Sequence, residues 1–403
     1  METTGFFIEA ESCQIGRKGE TVPGEICVQR RHGNRTIVVL AGGAEQGVRG
    51  RVTSEVIGSM ALHYALDGED ALRGARTIVR TFAPEPERSR DREEDGTAAA
   101  ERTVSFTMLD IHRSGRVRIT GFGTVPCMLF RGGREMPFPQ CGTAGEEAGE
   151  CRLWSGDFRA EPEDRIVLMT GGVVSSGLLT RRLSGGWGRD GGTGYCPGVI
   201  AQNPLISARE LARKIVERAE LNDLFAPKRD LTCAVLYLRQ PRRILVCSGP
   251  PFKEQKDEIL ADMVARYPGT KLICGGTTAQ IVSRELGRPV SVVLRRDPAG
   301  LPPTSTMEGV DLVTEGVLTL NRVKSLLERT APGAEVKEKG TDGVVARMLL
   351  DHDVVEFVVG TRINPLHQDP NLPVELELRR NLVKRLGDLL EKKYRKEVRI
   401  QYI

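Results

Sequence analysis

The chain has 403 residues, and because a single hydrophobic core stops growing at roughly 250–300 residues, two domains are expected. Hydrophobic residues make up 39% of the sequence and charged residues 28%, which is ordinary for a globular protein in water. A net charge of +4 with 5% aromatic residues does not favour nucleic-acid binding, and no apolar run approaches the roughly 20 residues of a membrane span.

The predicted elements of the first half are short strands and helices separated by glycine-rich turns. A buried-type strand over 36–40 leads into the turn 41–47, and a helix follows. Apolar residues at helical spacing indicate its buried face: Val52, Val56, Ile57, Met60, Ala61 and Tyr64. The pattern also predicts helices over 69–82 and 208–219, strands over 104–111, 116–121, 126–130, 165–169 and 231–238, and loops over 84–102, 140–151 and 184–198, the first of them disordered or solvated.

The second half alternates strands with helices, which is typical of parallel βαβ units. The strands are predicted over 243–247, 271–274, 290–294, 311–314, 354–359 and 398–402, and the helices over 253–267, 278–286, 317–327 and 374–394. This change of rhythm predicts a first domain over 1–240 and a smaller α/β domain over 241–403.

The sequence shows neither a targeting signal at its amino terminus nor a cysteine motif for metal binding. The amino-terminal residues, Met1 to Thr4, show neither the basic region nor the apolar core of a signal sequence, so we expect a cytoplasmic protein. The nine cysteines are scattered singly without a C-x-x-C pair, which predicts reduced thiols in the core and no zinc site.

Three strand ends of the first domain carry a recognisable series of motifs. Residues 38–49 read VVLAGGAEQGVR, residues 164–177 read DRIVLMTGGVVSSG, and residues 228–236 read KRDLTCAVL. In this order they resemble the SpoIIE-like branch of the PPM (type-2C) metal-dependent serine/threonine protein phosphatases, and Gly24-Glu25 stands where that family has an early Gly-acid pair. Residues 243–403 are similar to an extra carboxy-terminal domain found in a branch of SpoIIE-like proteins.

The resemblance implies a fold and a chemistry. The fold is a sandwich of two antiparallel β-sheets flanked by helices, here over 1–240, followed by the smaller α/β domain. The chemistry is hydrolysis of phosphoserine and phosphothreonine with two Mg²⁺ or Mn²⁺ ions, hard cations that prefer carboxylate oxygens. The family has one metal-binding aspartate at each of the three strand ends.

All three aspartates are missing from this sequence. Gly42 and Gly171 stand at the first two positions, followed by Gly43 and Gly172, and Arg229 stands at the third if Asp230 matches the second acid of the pair. A glycine offers only its backbone carbonyl, and an arginine is always cationic. We therefore expect no metal cofactor and a catalytically impaired domain, a pseudophosphatase, with the glycines kept for turns that need a positive φ.

Nearby acids leave an alternative open. Glu25, Glu45 or Asp230 could supply oxygen ligands, which would give an active phosphatase with non-standard ligands. The simpler interpretation places Glu45 on an exposed turn and pairs Asp230 with Arg229 or Lys228 at the surface.

The second domain offers a candidate anion site. Gly275, Gly276, Thr277 and Thr278 lie between a strand and a helix, where free N–H groups and hydroxyls favour anions, although Thr277 could equally be a plain N-cap. Glu315 ends another strand and could bind a ligand group at the same edge of the sheet. This pattern supports a third hypothesis, a small-ligand or anion sensor.

The leading functional hypothesis is a SpoIIE-type phosphatase homologue that acts by binding in bacterial signalling. Its expected partner is a protein, either a phosphoprotein or a protein that active relatives dephosphorylate, rather than nucleic acid or a membrane. The sequence fixes neither the partner nor the oligomeric state.

Overall fold

The computed structural model describes most of the chain: residues 5–43, 47–67, 71–82, 104–123, 127–138, 142–148, 151–181, 183–294, 296–332, 334, 336–362 and 373–403. The chain divides into two compact units, Met1–Gln240 and Pro241–Ile403. Glu45 and the segment 84–102 lie outside the described residues.

The first unit is built from eleven described strands and five described helices. The strands are β1 Phe7–Ile15, β2 Glu25–His32, β3 Arg35–Gly42, β4 Ser105–His112, β5 Arg116–Phe122, β6 Cys127–Arg131, β7 Arg134–Met136, β8 Gly142–Ala148, β9 Cys151–Arg159, β10 Asp164–Met169 and β11 Leu231–Arg239. The helices are α1 Gly47–Leu66, α2 Ala71–Phe82, α3 Gly171–Ser175, α4 Gly188–Gln202 and α5 Ala208–Asn222.

These strands form two antiparallel sheets. One has the order β1-β11-β10-β6-β7 and the other the order β2-β3-β4-β5-β9-β8. Strand β3 is continuously apolar because both of its faces are buried. Val38 and Leu40 face the core between the sheets, whereas Ile37 and Val39 pack under α1 and α2. The sandwich of two antiparallel sheets flanked by helices, predicted from the sequence, is therefore observed.

Two predicted loops contain regular structure. The glycine-rich segment 184–198 largely forms α4, because Trp187, Cys196 and Ile200 gain burial against Met128 and Met169. Within 140–151 the chain forms β8 and begins β9, which closes the edge of the second sheet. In both segments tertiary pairing overrides a weak local pattern.

The buried face of α1 differs in part from the prediction: Ile57 and Ala61 are buried as expected, but the two valines are not. Val52 is 59% exposed and Val56 42% exposed. Small residues such as Ser54 and Gly58 are buried beside Ile57, and a Cβ added to Gly58 would lie 2.5 Å from Ile26 Cδ1. At Gly58 the helix approaches β2 too closely for a larger side chain.

The second unit is a single mixed sheet covered by helices. Its strands are β12 Arg243–Ser248, β13 Thr270–Cys274, β14 Ser291–Val292, β15 Ser305–Met307, β16 Val310–Thr314, β17 Val354–Val359 and β18 Glu397–Tyr402. Its described helices are α6 Asp257–Arg266, α7 Gly276–Leu286, α8 Val317–Arg329, α9 Thr341–Asp351 and α10 Pro373–Tyr394. The strand order is β14-β15-β16-β13-β12-β17-β18.

Five neighbouring strands of this sheet, from β16 to β18, run parallel. Helices α6 and α7 pack on one face, and α8, α9 and α10 on the other. The predicted α/β arrangement is observed. Strands β13 to β16 lie on one side of β12 in the sheet, and the chain then adds β17 and β18 on the other side of β12. Within the described part of the chain, no helix combines the length and apolarity needed to span a membrane.

Candidate functional site

The three strand ends singled out from the sequence meet where the two sheets of the first unit converge. Glu25 of β2 lies directly opposite Gly42 of β3. In the other sheet the N–H of Thr170, just after β10, donates to the carbonyl of Thr232 in β11 at 3.0 Å. The Thr232 hydroxyl donates to Glu25 Oε2 at 2.6 Å, which joins the two sheets at this point.

Two of the expected ligand positions have room for a side chain. A Cβ added to Gly42 would lie 3.4 Å from Ser105 Oγ and 3.7 Å from Glu25 Cγ, which is ordinary contact. A Cβ added to Gly171 would have one near neighbour, Arg229 Nη1, at 4.0 Å. The guanidinium of Arg229 therefore lies beside the second position, where the resemblance implies a carboxylate.

The following glycines serve a different purpose. A Cβ on Gly172 would lie 1.9 Å from the carbonyl oxygen of Asp230, and a Cβ on Gly43 would lie 2.6 Å from the carbonyl oxygen of Gly50. Neither residue has a positive φ, and the same holds for Gly42 and Gly171. The expectation that these glycines serve turns with positive φ is wrong, because close backbone approach is what requires Gly43 and Gly172.

Asp230 is a buried clamp rather than a surface acid. Its Oδ1 accepts the N–H of Arg17 at 2.8 Å and its Oδ2 accepts the N–H of Gly24 at 2.6 Å, which ties the loop between β1 and β2 to the start of β11. Lys228 instead donates to the carbonyl of Leu178. The expected surface pairing of Asp230 with Lys228 is therefore wrong, and both of its oxygens already satisfy backbone donors.

Glu25 is the carboxylate at the centre of the site. Burial raises its pKa to about 7, against the opposing effect of hydrogen bonds from Thr232 and Thr170; the charge of Asp230 raises the pKa further and that of Arg229 lowers it. Sequence reasoning missed the two threonines, although both stand inside the quoted motifs. They orient the carboxylate and link β10 to β11.

The raised pKa makes stability depend on pH. The folded protein holds this proton more tightly than the unfolded chain, so the stability it contributes is fully present below pH 4.5 and is lost as the pH rises to about 7. Glu25→Gln keeps a side-chain oxygen that can accept the hydrogen bond of Thr232 but does not titrate, and we expect it to remove roughly 3 kcal/mol of this loss. Urea unfolding at pH 4.5 and pH 8 measures it, and identical pH slopes for variant and parent would contradict the assignment.

In the second unit, the two predicted loops lie side by side. The N–H of Gly275 donates to the carbonyl of Thr314 at 2.8 Å, and a Cβ on Gly316 would lie 3.5 Å from Gly275 Cα. Gly275, with φ of 129°, is the N-cap of α7, so the alternative in which Thr277 caps this helix is wrong.

The side chains of these loops differ in their availability. The Thr278 hydroxyl is buried and accepts the N–H of Gly249 at 2.9 Å. Gly276, Thr277 and Glu315 are exposed. The structure thus brings the predicted loops together but already engages one of the two hydroxyls in holding β12 to α7.

Comparison with known structures returns phosphatase domains of the kind that the sequence resemblance indicated. The phosphatase domain of the cell fate determinant SpoIIE from Bacillus subtilis is 12% identical, with a TM-score of 0.41, over 59% of this chain and 95% of that one. A second SpoIIE structure, the PP2C phosphatase domain with a fragment of the regulatory domain, is 13% identical with a TM-score of 0.46, over 59% of this chain and 63% of that one.

The RsbU and RsbW domains of Rv1364c from Mycobacterium tuberculosis are also similar, at 11% identity and a TM-score of 0.43, over 64% of this chain and 68% of that one. No protein-family model and no curated protein sequence matches the chain. At these identities and with TM-scores below 0.5, the likenesses carry no argument about the activity of this chain.

Proposed function

We propose that this chain is a SpoIIE-type phosphatase homologue that has lost metal-dependent catalysis and acts by binding a protein partner in bacterial signalling. One observation carries the proposal. At the meeting point of the strand ends, Gly42 and Gly171 leave two ligand positions without a side chain, and the guanidinium of Arg229 lies beside the second.

The donor set does not fit two hard dications. Such ions need several anionic oxygens, and here Glu25 is held by Thr232 while Asp230 is committed to backbone N–H groups. Within the described residues, no group of three or more His, Cys, Asp or Glu side chains is placed to hold a metal ion. The guanidinium of Arg229 beside Gly171 would also repel an incoming cation.

The shape of the site supports a binding role. The clamp of Asp230, the threonine pair and the close-packed glycines all hold the strand ends in place without a metal. A rigid, partly cationic surface of this kind is suited to a protein partner, including a phosphoprotein, because a guanidinium pairs with phosphate in a fixed geometry.

The parent protein should not bind Mn²⁺ at millimolar concentration, and it should not release phosphate from phosphoserine or phosphothreonine peptides when Mn²⁺ is added. Titration calorimetry with Mn²⁺, paired with a phosphate-release assay, measures both. Saturable Mn²⁺ binding with metal-dependent turnover would instead establish the alternative, an active phosphatase with non-standard ligands. If neither occurs and an anion binds at Thr277 and Thr278, the sensor hypothesis for the second unit gains support.

A further inference from the structure

An open cavity of about 480 Å³ lies on the outer face of the six-stranded sheet, away from the strand-end site. Its apolar lining residues, here called the apolar floor, are Ala65 at the end of α1, Ala71 at the start of α2, and Met108 of β4. Arg116 and Arg118 of β5 stand among its polar lining residues. The volume falls within the range of about 300–1,000 Å³ that is typical of small-molecule sites.

The acidic residue in this lining, Asp110, is already neutralised. Arg35 donates to it in a bidentate manner, from Nε to Oδ1 at 3.0 Å and from Nη2 to Oδ2 at 2.6 Å. The same Nη2 donates to the carbonyl of Ala65 at 2.7 Å, which fixes the pair in the cavity wall. This pair adds no net charge to the lining.

Arg116 and Arg118 supply the remaining charge. They stand two residues apart on one face of β5, both exposed, and neither forms an ion pair or hydrogen bond within the described part of the chain. Arg116 lies directly opposite Arg159 of β9, and like charges at directly opposed positions destabilise a strand pair. Arg118 lies between Asp110, which Arg35 holds, and Asp157, which forms no ion pair with a described residue.

His112 also lines the cavity. Its Nδ1 accepts the N–H of Ser114 at 3.1 Å, so the neutral ring carries its proton on Nε2. The cavity thus combines two unpaired guanidinium groups and an imidazole N–H with an apolar floor. Guanidinium groups bind phosphate in a bidentate geometry, and the apolar floor suits the organic part of a ligand.

We propose that this cavity binds a small phosphorylated organic molecule, with its phosphate against Arg116 and Arg118 and its apolar part over Met108. The cavity and the strand-end site lie at opposite ends of β3, since Arg35 begins this strand and Gly42 ends it. Seven steps of about 3.4 Å place them roughly 24 Å apart. The proposed ligand site is therefore separate from the strand-end site.

Phenylphosphonate is a suitable probe, because it joins an aryl ring to a dianionic head and cannot be hydrolysed. In the full chain labelled with ¹³C-methyl methionine, titration should shift the methyl signal of Met108, assigned through Met108→Leu. Methylphosphonate, which lacks the ring, should bind about fivefold more weakly. No shift at Met108, or equal affinities for the two phosphonates, would overturn the proposal.

Charge variants test the arginines separately. The double variant Arg116→Gln, Arg118→Gln should weaken phenylphosphonate binding by about tenfold or more, because two charge-assisted contacts are lost. The matched control Arg209→Gln, Arg218→Gln removes the same charge from exposed positions of α5 and should leave the affinity unchanged. Equal losses in the two double variants would show non-specific attraction and would refute the site, whatever the metal titration shows.

Discussion

Mn²⁺ binding should return when carboxylates are placed at the three strand ends, in the variant Gly42→Asp, Gly171→Asp, Arg229→Asp. Each change adds an anionic oxygen beside Glu25, and the third also removes a cation. The space at Gly42 and Gly171 accepts a Cβ without a clash, so the variant should fold. Calorimetry should detect saturable binding in the millimolar range or below, where the parent shows none.

The matched control replaces the same residues with asparagine, which has nearly the same size but no charge. This variant should bind no Mn²⁺, because hard dications need carboxylates to offset the loss of their hydration shell. Single aspartate variants should also bind little. If the triple aspartate variant folds like the parent and still binds no Mn²⁺, the assignment of these three positions as former metal ligands is wrong.

Gly172→Ala should destabilise the first unit by about 3 kcal/mol, whereas Gly171→Ala should change its stability by less than about 1 kcal/mol. The added Cβ at Gly172 would lie 1.9 Å from the carbonyl oxygen of Asp230, so β11 or α3 must move. At Gly171 the nearest atom is the end of a flexible arginine, 4.0 Å away. Urea unfolding followed by circular dichroism measures both variants under the same conditions.

The two neighbouring positions make this comparison internally controlled, since each variant adds one methyl group to the same short helix. Similar stabilities for both variants would mean that the chain after β10 can relax. In that case close approach would not be the reason for glycine at 172, and the rigidity attributed to the strand ends would be lost.

Strand ends were the most predictable part of this protein. An apolar run that stops at a Gly pair, as at Gly42-Gly43 and Gly171-Gly172, marks a buried strand and its turn without any tertiary information. The meeting of these ends followed from the resemblance rather than from the pattern itself. The contact between Glu25 and Thr232 confirms that they share one location.

Other features depended on contacts between distant residues. Val52 and Val56 fit a helical stripe with Ile57, but both valines are exposed, and the helix instead approaches β2 most closely at Gly58. Asp230 binds the N–H of Gly24, more than 200 positions earlier in the chain, and local sequence carries no signal of such a bond. The glycines of α4 have low helix propensity, so the local sequence does not predict this helix. Its stability comes from the burial of its apolar residues.

The pairing of β1 with β11 constrains how the protein can fold during its synthesis. Ile15 pairs with Leu231 and Phe7 with Arg239. The first strand of the unit therefore cannot pair until the last strand has been synthesised. At about 5–20 residues per second, a ribosome needs on the order of 10–40 s to make the roughly 200 residues between them. Throughout that interval β1 lacks its partner, and the edge of β10 lacks the same partner from the time β10 is made until β11 follows. The nascent chain is therefore most exposed to mispairing and to chaperone capture just before β11 emerges.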